Sequence, residues 1–374
     1  MPRDFTLGLA GALVLTLLIT DVRSTSAAEI DVVASIKPVH SLVAGVMLGV
    51  GEPALLVKGT GSEHSYSLRP SEARALDQAE VVFWVGETME TFLIKPLRAL
   101  AGNAKVIELW EVPGLTLLAT REGGMWEEHE HGDEHADADA DHGKSEHAEE
   151  HMEEAEHAAE HEGEGEHAAL QQGEHAGQHE GEHEHAEPDR EEAGEHAHGE
   201  TDMHIWLDPA NAKVLVAGIA SALGKADPDN ASTYLANAGR LHERLDELDR
   251  SLADRLRAVA ERPYVVFHDA YQYFEQRYGV SAVGAITINP TVRPSAQRLV
   301  EIQGRLQEFE AACVFAEPQF EPALVDILIE GTNASKGVLD PLGAARDAGP
   351  DQYFQLMSDL ADSLVNCLGR AQSG

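Results

Sequence analysis

Only two cysteines occur in the 374 residues, and aromatic side chains make up 5% of the chain. With Cys313 and Cys367 far apart and no CxxC spacing, a cysteine-built zinc ribbon or a thioredoxin-like redox pair is excluded. Basic residues are scarce, 27 Lys and Arg against 66 Asp and Glu, for a formal net charge of −39. Phosphate contacts need Lys and Arg, so nucleic acid is excluded as a partner. The sequence holds no phosphate-binding loop, nucleophile elbow, HExxH motif or heptad coiled coil. Beyond the first thirty residues no apolar run has the roughly 20 residues that a membrane span requires.

The charge is concentrated in one place. From Glu127 to Asp202 the chain is built almost wholly of His, Glu, Asp, Ala and Gly, with 29 acids against two bases, Lys144 and Arg190. Met152 and Leu170 are its exceptional large apolar side chains. With little apolar surface to offset backbone ordering, the segment is expected to be disordered. It also carries fifteen of the twenty histidines. A tract this rich in imidazole reads as metal-binding by composition, and imidazole suits zinc, copper and nickel. His147/His151 and His157/His161 stand four apart, a spacing that lets a metal clip one helical turn. A solvated spacer is the alternative.

Residues 1–28 read as a signal peptide. Arg3 gives a charged start, TLGLAGALVLTLLIT an apolar core, and Ser26-Ala27-Ala28 a small-residue cleavage site. No cysteine stands near that site to carry a lipid, so no direct membrane anchor is expected. The expected compartment is the periplasm of a Gram-negative bacterium. An even cysteine count in an oxidising compartment favours a Cys313–Cys367 disulfide, with two buried free thiols as the alternative.

The body alternates strand-like and helix-like runs. IDVVASI, EPALLVKG, EVVFWVG and KVIEL read as strands before the insert; PYVVFHD, VSAVGAI, CVFAEPQ and KGVLDP read as strands after it. Such alternation predicts an α/β fold with parallel sheets. Between the two series Leu241, Leu245, Leu248, Leu252, Leu256 and Val259 recur at three- and four-residue steps, the apolar stripe of one long helix. The expected organisation is a first βα lobe over 29–228 carrying the acidic loop at 127–202, a rigid linking helix over 229–260, and a second βα lobe over 261–374.

Five histidines lie outside the insert. His242, on the polar face of the long helix, and His40, early in a helix, read as structural. His64 in GTGSEHSYSLRP, His204 in MHIWLDP and His268 at the end of YVVFH each stand at a strand end or loop mouth. In open α/β sheets the ligand cleft lies beyond the carboxyl ends of the strands. Three imidazoles converging there would hold Zn2+, with the fourth tetrahedral position left for a carboxylate or water. Glu63, beside His64, is one candidate for that carboxylate and Asp340, in LDPLG, is the other. Asp208 and Asp269 stand close enough in sequence to orient the rings, although helix capping explains them equally well.

GSEHSYSLRPSEARAL, EVVFWVG, MHIWLDP, FHDAYQYF, FAEPQF and LDPLG, in that order, resemble the periplasmic zinc-binding proteins of ABC uptake systems, the ZnuA family. The resemblance runs from about residue 30 to 370. It implies two lobes joined by a rigid helix, zinc in the cleft on His64, His204 and His268, and Glu63 or solvent completing the shell. It also implies a disulfide between Cys313 and Cys367, an acidic His-rich loop, and a monomer that passes Zn2+ to the membrane permease of an ABC transporter. Manganese-binding relatives carry a carboxylate where His268 stands, and three imidazoles favour the softer zinc. The expected protein is a binding protein and not an enzyme, with the insert an accessory collector or store. A zinc hydrolase with an open three-histidine site and a periplasmic metal buffer without a transporter are the competing readings.

Overall fold

The computed structural model describes residues 30–121, 201–287 and 290–370. The expected signal peptide, and the His-rich insert apart from Thr201 and Asp202, lie outside the described residues. No helix among the described residues is long and apolar enough to cross a membrane.

The first βα series is β1 (Val32–Ala34), α1 (Lys37–Val46), β2 (Ala54–Leu55), α2 (Pro70–Gln78), β3 (Val81–Trp84), α3 (Thr91–Leu100) and β4 (Lys105–Glu108). Its four strands pair in parallel in the order β2-β1-β3-β4. Every residue of β1 and β3 is buried. That explains their continuous Val-rich runs, since a central parallel strand is covered on both faces. Two helices follow the insert, α4 (Pro209–Ala226) and α5 (Ala231–Leu256). The second series is β5 (Tyr264–His268), α6 (Gln272–Tyr278), β6 (Ala282–Thr287), α7 (Ala296–Glu308), β7 (Cys313–Ala316), α8 (Ala323–Ile329), β8 (Ser335–Val338) and α9 (Gln352–Arg370). It forms a second parallel sheet in the order β6-β5-β7-β8. Each sheet therefore places its first strand beside its third, and the topological switch point falls between them.

The long helix is shorter than its apolar stripe suggests. It starts at Ala231, after a 3-10 turn over Pro228–Asn230, and stops at Leu256, so Val259 packs from the turn beyond. Its 26 residues rise ~39 Å at 1.5 Å each. Leu241, Leu245, Leu252 and Leu256 join one continuous buried cluster that takes in Val43 of α1, Met47 just after it, Tyr264 of β5 and Leu360 of α9. Both lobes thus share a core. Helix α1 is buried on every side, against β1, α4, α5 and α9.

Polar ties reinforce that shared core. Lys37 Nζ donates to the carbonyls of Ala344 at 2.6 Å and Arg346 at 2.9 Å. Trp206 Nε1 donates to Pro341 O at 2.9 Å, and Tyr353 Oη donates to Trp206 O at 2.8 Å. A disulfide joins Cys313 on β7 to Cys367 on α9, closing a separation of 54 residues.

Candidate metal centre

The first two candidate residues lie on the loop between β2 and α2. Gly59 takes a left-handed φ of 66°, which a glycine adopts without strain. At Gly61 a Cβ would come within 2.8 Å of the Tyr66 ring, so the loop folds against that ring only with glycine there. Tyr66 Oη donates to Glu72 Oε1 at 3.2 Å, and Glu72 Oε2 accepts from Arg69 N at 2.8 Å. The acid in the first turn of α2 thereby anchors Tyr66 and Arg69, the stretch of loop that follows Glu63 and His64.

His204 precedes the 3-10 turn Ile205–Leu207, whose three residues are all buried. Asp208 caps α4, accepting from Ala210 N at 2.8 Å. His268 is the last residue of β5 and is 1% exposed.

The ligand atoms of Glu63, His64, His204 and His268 lie within 4.8 Å of one another. Glu63 Oε1 stands 3.9 Å from the Nε2 atom of each of the three histidines. The Nε2 atoms of His204 and His268 are 3.3 Å apart. Four ligands at about 2.0–2.1 Å from a tetrahedral Zn2+ stand ~3.3–3.4 Å from each other, so the His204–His268 pair is already at that separation and Glu63 Oε1 has to close in by about half an ångström on each imidazole. Glu63 Oε1 and His64 Nε2 are buried with no hydrogen-bond partner. Unsatisfied buried acceptors are costly, and a cation among them is what satisfies an oxygen and a nitrogen lone pair together.

Two carboxylates hold the rings from behind. His204 Nδ1 donates to Asp202 Oδ1 at 2.8 Å, and the same oxygen accepts from His204 N at 3.0 Å. His268 Nδ1 lies 2.7 Å from both carboxylate oxygens of Glu317, which follows β7 on the strand next to β5. Each bond commits Nδ1 as the donor and turns the Nε2 lone pair toward the shared centre. Phe320 closes the C-terminal wall, stacked on Phe267 at 4.8 Å and edge-on to His268 at 6.1 Å.

Burial sets the electrostatics. It drives the His64 ring well below the usual imidazole range, and the neighbouring His268 and His204 push the same way. Burial would also lower His268, but the Glu317, Glu63 and Asp269 carboxylates outweigh it and hold the ring at about 9. The Glu63 carboxyl is raised by burial and opposed by His268 and His204.

Some candidates stand elsewhere. Asp340, the alternative fourth ligand, is outside the cluster. Its carboxylate instead takes up the backbone N–H groups of Leu342, Gly343 and Ala344 at 3.1, 3.0 and 2.5 Å and the Gln319 amide at 2.8 Å. Asp208 is a helix cap, and Asp269 pairs with Arg121. The orienting carboxylates that sequence reasoning missed are Asp202 and Glu317. Asp202 carried a signal, two residues before His204, but its acidic surroundings masked it. Glu317 lies 49 residues from its histidine, and only the pairing of β5 with β7 makes them neighbours. The other two histidines are structural: His40 Nε2 donates to Pro53 O and His242 Nε2 to Lys213 O, each at 2.9 Å.

Comparison with known proteins adds to this geometry. The family described as ZnuA, zinc-uptake complex component A, periplasmic, matches residues 32–367. The high-affinity zinc uptake system protein ZnuA of Brucella suis biovar 1 is 49% identical over 339 residues, which cover 91% of this chain and 92% of that protein. The protein of the same name from Yersinia pestis is 37% identical over 341 residues, covering 91% and 92%. A crystal structure of ZnuA superposes with a TM-score of 0.61 at 21% identity, covering 90% of this chain and 99% of that one. The manganese complex of FpvC from Pseudomonas aeruginosa reaches 0.64 at 18% identity, covering 92% and 99%. At these identities the two structures speak for the fold alone.

Proposed function

Because this chain belongs to the ZnuA family of periplasmic zinc-uptake components, we propose that it binds Zn2+ as cargo on the Nε2 atoms of His64, His204 and His268 and on Glu63 Oε1, and hands the ion to the membrane permease of an ABC transporter. The observation that carries this reading is the convergence of four buried ligand atoms, two of them without any other partner. Three imidazoles and one carboxylate suit zinc better than manganese, which favours more oxygen donors and higher coordination. Residues 1–28 act as a cleaved export signal in this reading. The insert over 127–202 collects zinc weakly on its histidines, as exposed ligands with little preorganisation do.

The hydrolase reading loses support at Glu63. A catalytic zinc keeps one position open for water. In the four-ligand reading Glu63 takes that position, supported by its Oε1 standing 3.9 Å from each of the three imidazoles.

Zinc titration against a competing chelator tests the proposal, comparing the full chain with a variant lacking residues 127–200. One tight site is expected to survive the deletion while weak sites disappear. Loss of the tight site in a deletion variant that keeps its circular dichroism spectrum would show that the insert supplies a primary ligand.

A further inference from the structure

The chain on either side of residues 122–200 crosses from the N-terminal lobe and is fastened to the C-terminal one. Ala119 and Thr201 form an isolated antiparallel bridge, and Asp202 N donates to Leu118 O at 2.8 Å. Tyr273, on α6, grips both sides of this neck. Its hydroxyl donates to Asp202 O at 2.6 Å and accepts from Leu118 N at 3.1 Å. Arg121, two residues beyond the bridge, reaches the end of β5. Its Nε lies 3.0 Å from both carboxylate oxygens of Asp269, its Nη2 also bonds Asp269, and its Nη1 donates to Glu275 Oε2 at 2.6 Å. The side chains of Arg121, Asp269 and Glu275 are 18%, 8% and 4% exposed.

We propose that this clasp, Arg121 on Asp269 and Glu275 with Tyr273 across the neck, is a positioning device that sets the spacing of His204 and His268 and thereby the zinc affinity, without touching the ion. The inference rests on the four-ligand reading above. Asp202, gripped through its carbonyl by Tyr273, holds His204 through its carboxylate. Asp269, gripped by Arg121, is covalently next to His268. Each clasped residue is thus within two positions of a ligand, and the two ligands belong to opposite lobes. Their Nε2 atoms already stand at the separation a tetrahedral ion requires, 3.3 Å.

The clasp is not what keeps the lobes together. The shared core through α1, α5 and α9 and the ties from Lys37 to Ala344 and Arg346 do that without Arg121, Asp269 or Glu275. What the clasp adds is local. Without the guanidinium, Asp269 and Glu275 remain two mostly buried carboxylates with no cation between them. Two such carboxylates repel and move apart. That shifts the end of β5 relative to the neck, and with it His268 relative to His204.

The test uses the full chain, with Zn2+ in chelator competition and Co2+ as a spectroscopic substitute whose visible bands report coordination geometry. Arg121→Gln is expected to weaken zinc binding by about tenfold, the lower end of the range for residues that orient metal ligands, and to dim the tetrahedral Co2+ bands. Arg121→Lys, which keeps the charge, is expected to restore part of both. Tyr273→Phe removes the two hydroxyl bonds to the neck without changing charge, and is expected to weaken zinc by a few-fold and shift the Co2+ bands the same way. If Arg121→Gln is insoluble, Tyr273→Phe and Arg121→Lys carry the test alone. Folded variants that bind zinc within about twofold of the parent, with unchanged Co2+ spectra, overturn the clasp as a positioning device even if their thermal stability falls. His268→Ala is the separate control. If it keeps the tight site, the ligand set itself is wrong, whatever Arg121 does.

Discussion

The two lobes share a strand order but build their halves of the site differently. In the C-terminal lobe the proposed ligand His268 is part of a strand, 1% exposed, with both oxygens of Glu317 behind its ring. In the N-terminal lobe His64 rides on a glycine-containing loop, its side chain is 21% exposed, and among the described residues no carboxylate stands behind it. His204 is intermediate, in a loop but backed by Asp202. The site therefore has a stiff side and a compliant side. Preorganised ligands lose less entropy on binding, so the stiff side should carry most of the affinity, while the compliant side gives the ion a way in.

The comparison can be broken most severely by removing the stiff ligand. His268→Ala is expected to lower zinc affinity by about a thousandfold, or ~4 kcal/mol, measured by chelator competition. A loss no larger than that of the matching His64 variant would erase the distinction between the sides. Next in size, Glu317→Gln and Asp202→Asn leave the ligands in place but weaken their orientation. Each is expected to cost roughly 10- to 100-fold in zinc affinity. Equal binding by parent and variants would mean that the carboxylates serve the fold alone. Smaller again, His64→Gln should cost about tenfold, because a mobile ligand gives up part of its bonding energy in becoming ordered.

The last effect is a slope, not a single loss. The His268 ring is held at about 9, so without metal it carries a proton at neutral pH that zinc must displace. Zinc affinity should therefore fall as pH drops below about 9, by up to tenfold per unit for this one proton. Glu317→Gln should flatten the slope near pH 8 in titrations across pH. The sign for folding is opposite. A pKa raised above the unfolded value of about 6.5 stabilises the metal-free fold fully below that pH. The contribution is lost as pH rises through about 9, so metal-free melting temperature should decline over that interval.

Much of the architecture is legible in the sequence because parallel sheets write themselves plainly. Buried strands such as VVFW and CVFA are continuous apolar runs, and helices such as α2 announce their start with Pro70 and Glu72. The four residues that cluster are legible for a different reason. Histidines at strand ends and loop mouths stand out once fifteen others are set aside with the insert. What was not legible depends on tertiary pairing. Glu317 reaches His268 only because β5 lies beside β7. Asp340 occupies a strand-end position much like that of His268, but three backbone N–H groups of its own turn engage it. Arg121 stands at the edge of a tract whose composition says nothing about a salt bridge 148 residues away.

Glu63 has one more consequence, for time rather than affinity. In the four-ligand shell proposed above, no tetrahedral position stays open at which an incoming donor could begin to displace the ion. For a dissociation constant of about 1 nM and an association rate near 10⁷ M⁻¹s⁻¹, spontaneous departure takes about 100 s. A cargo that stays for minutes suits long-distance carriage through a dilute compartment, and ill suits delivery on a schedule. Whatever empties the site at a useful rate must therefore act on the protein first, drawing a ligand away so that the metal is left with fewer holds.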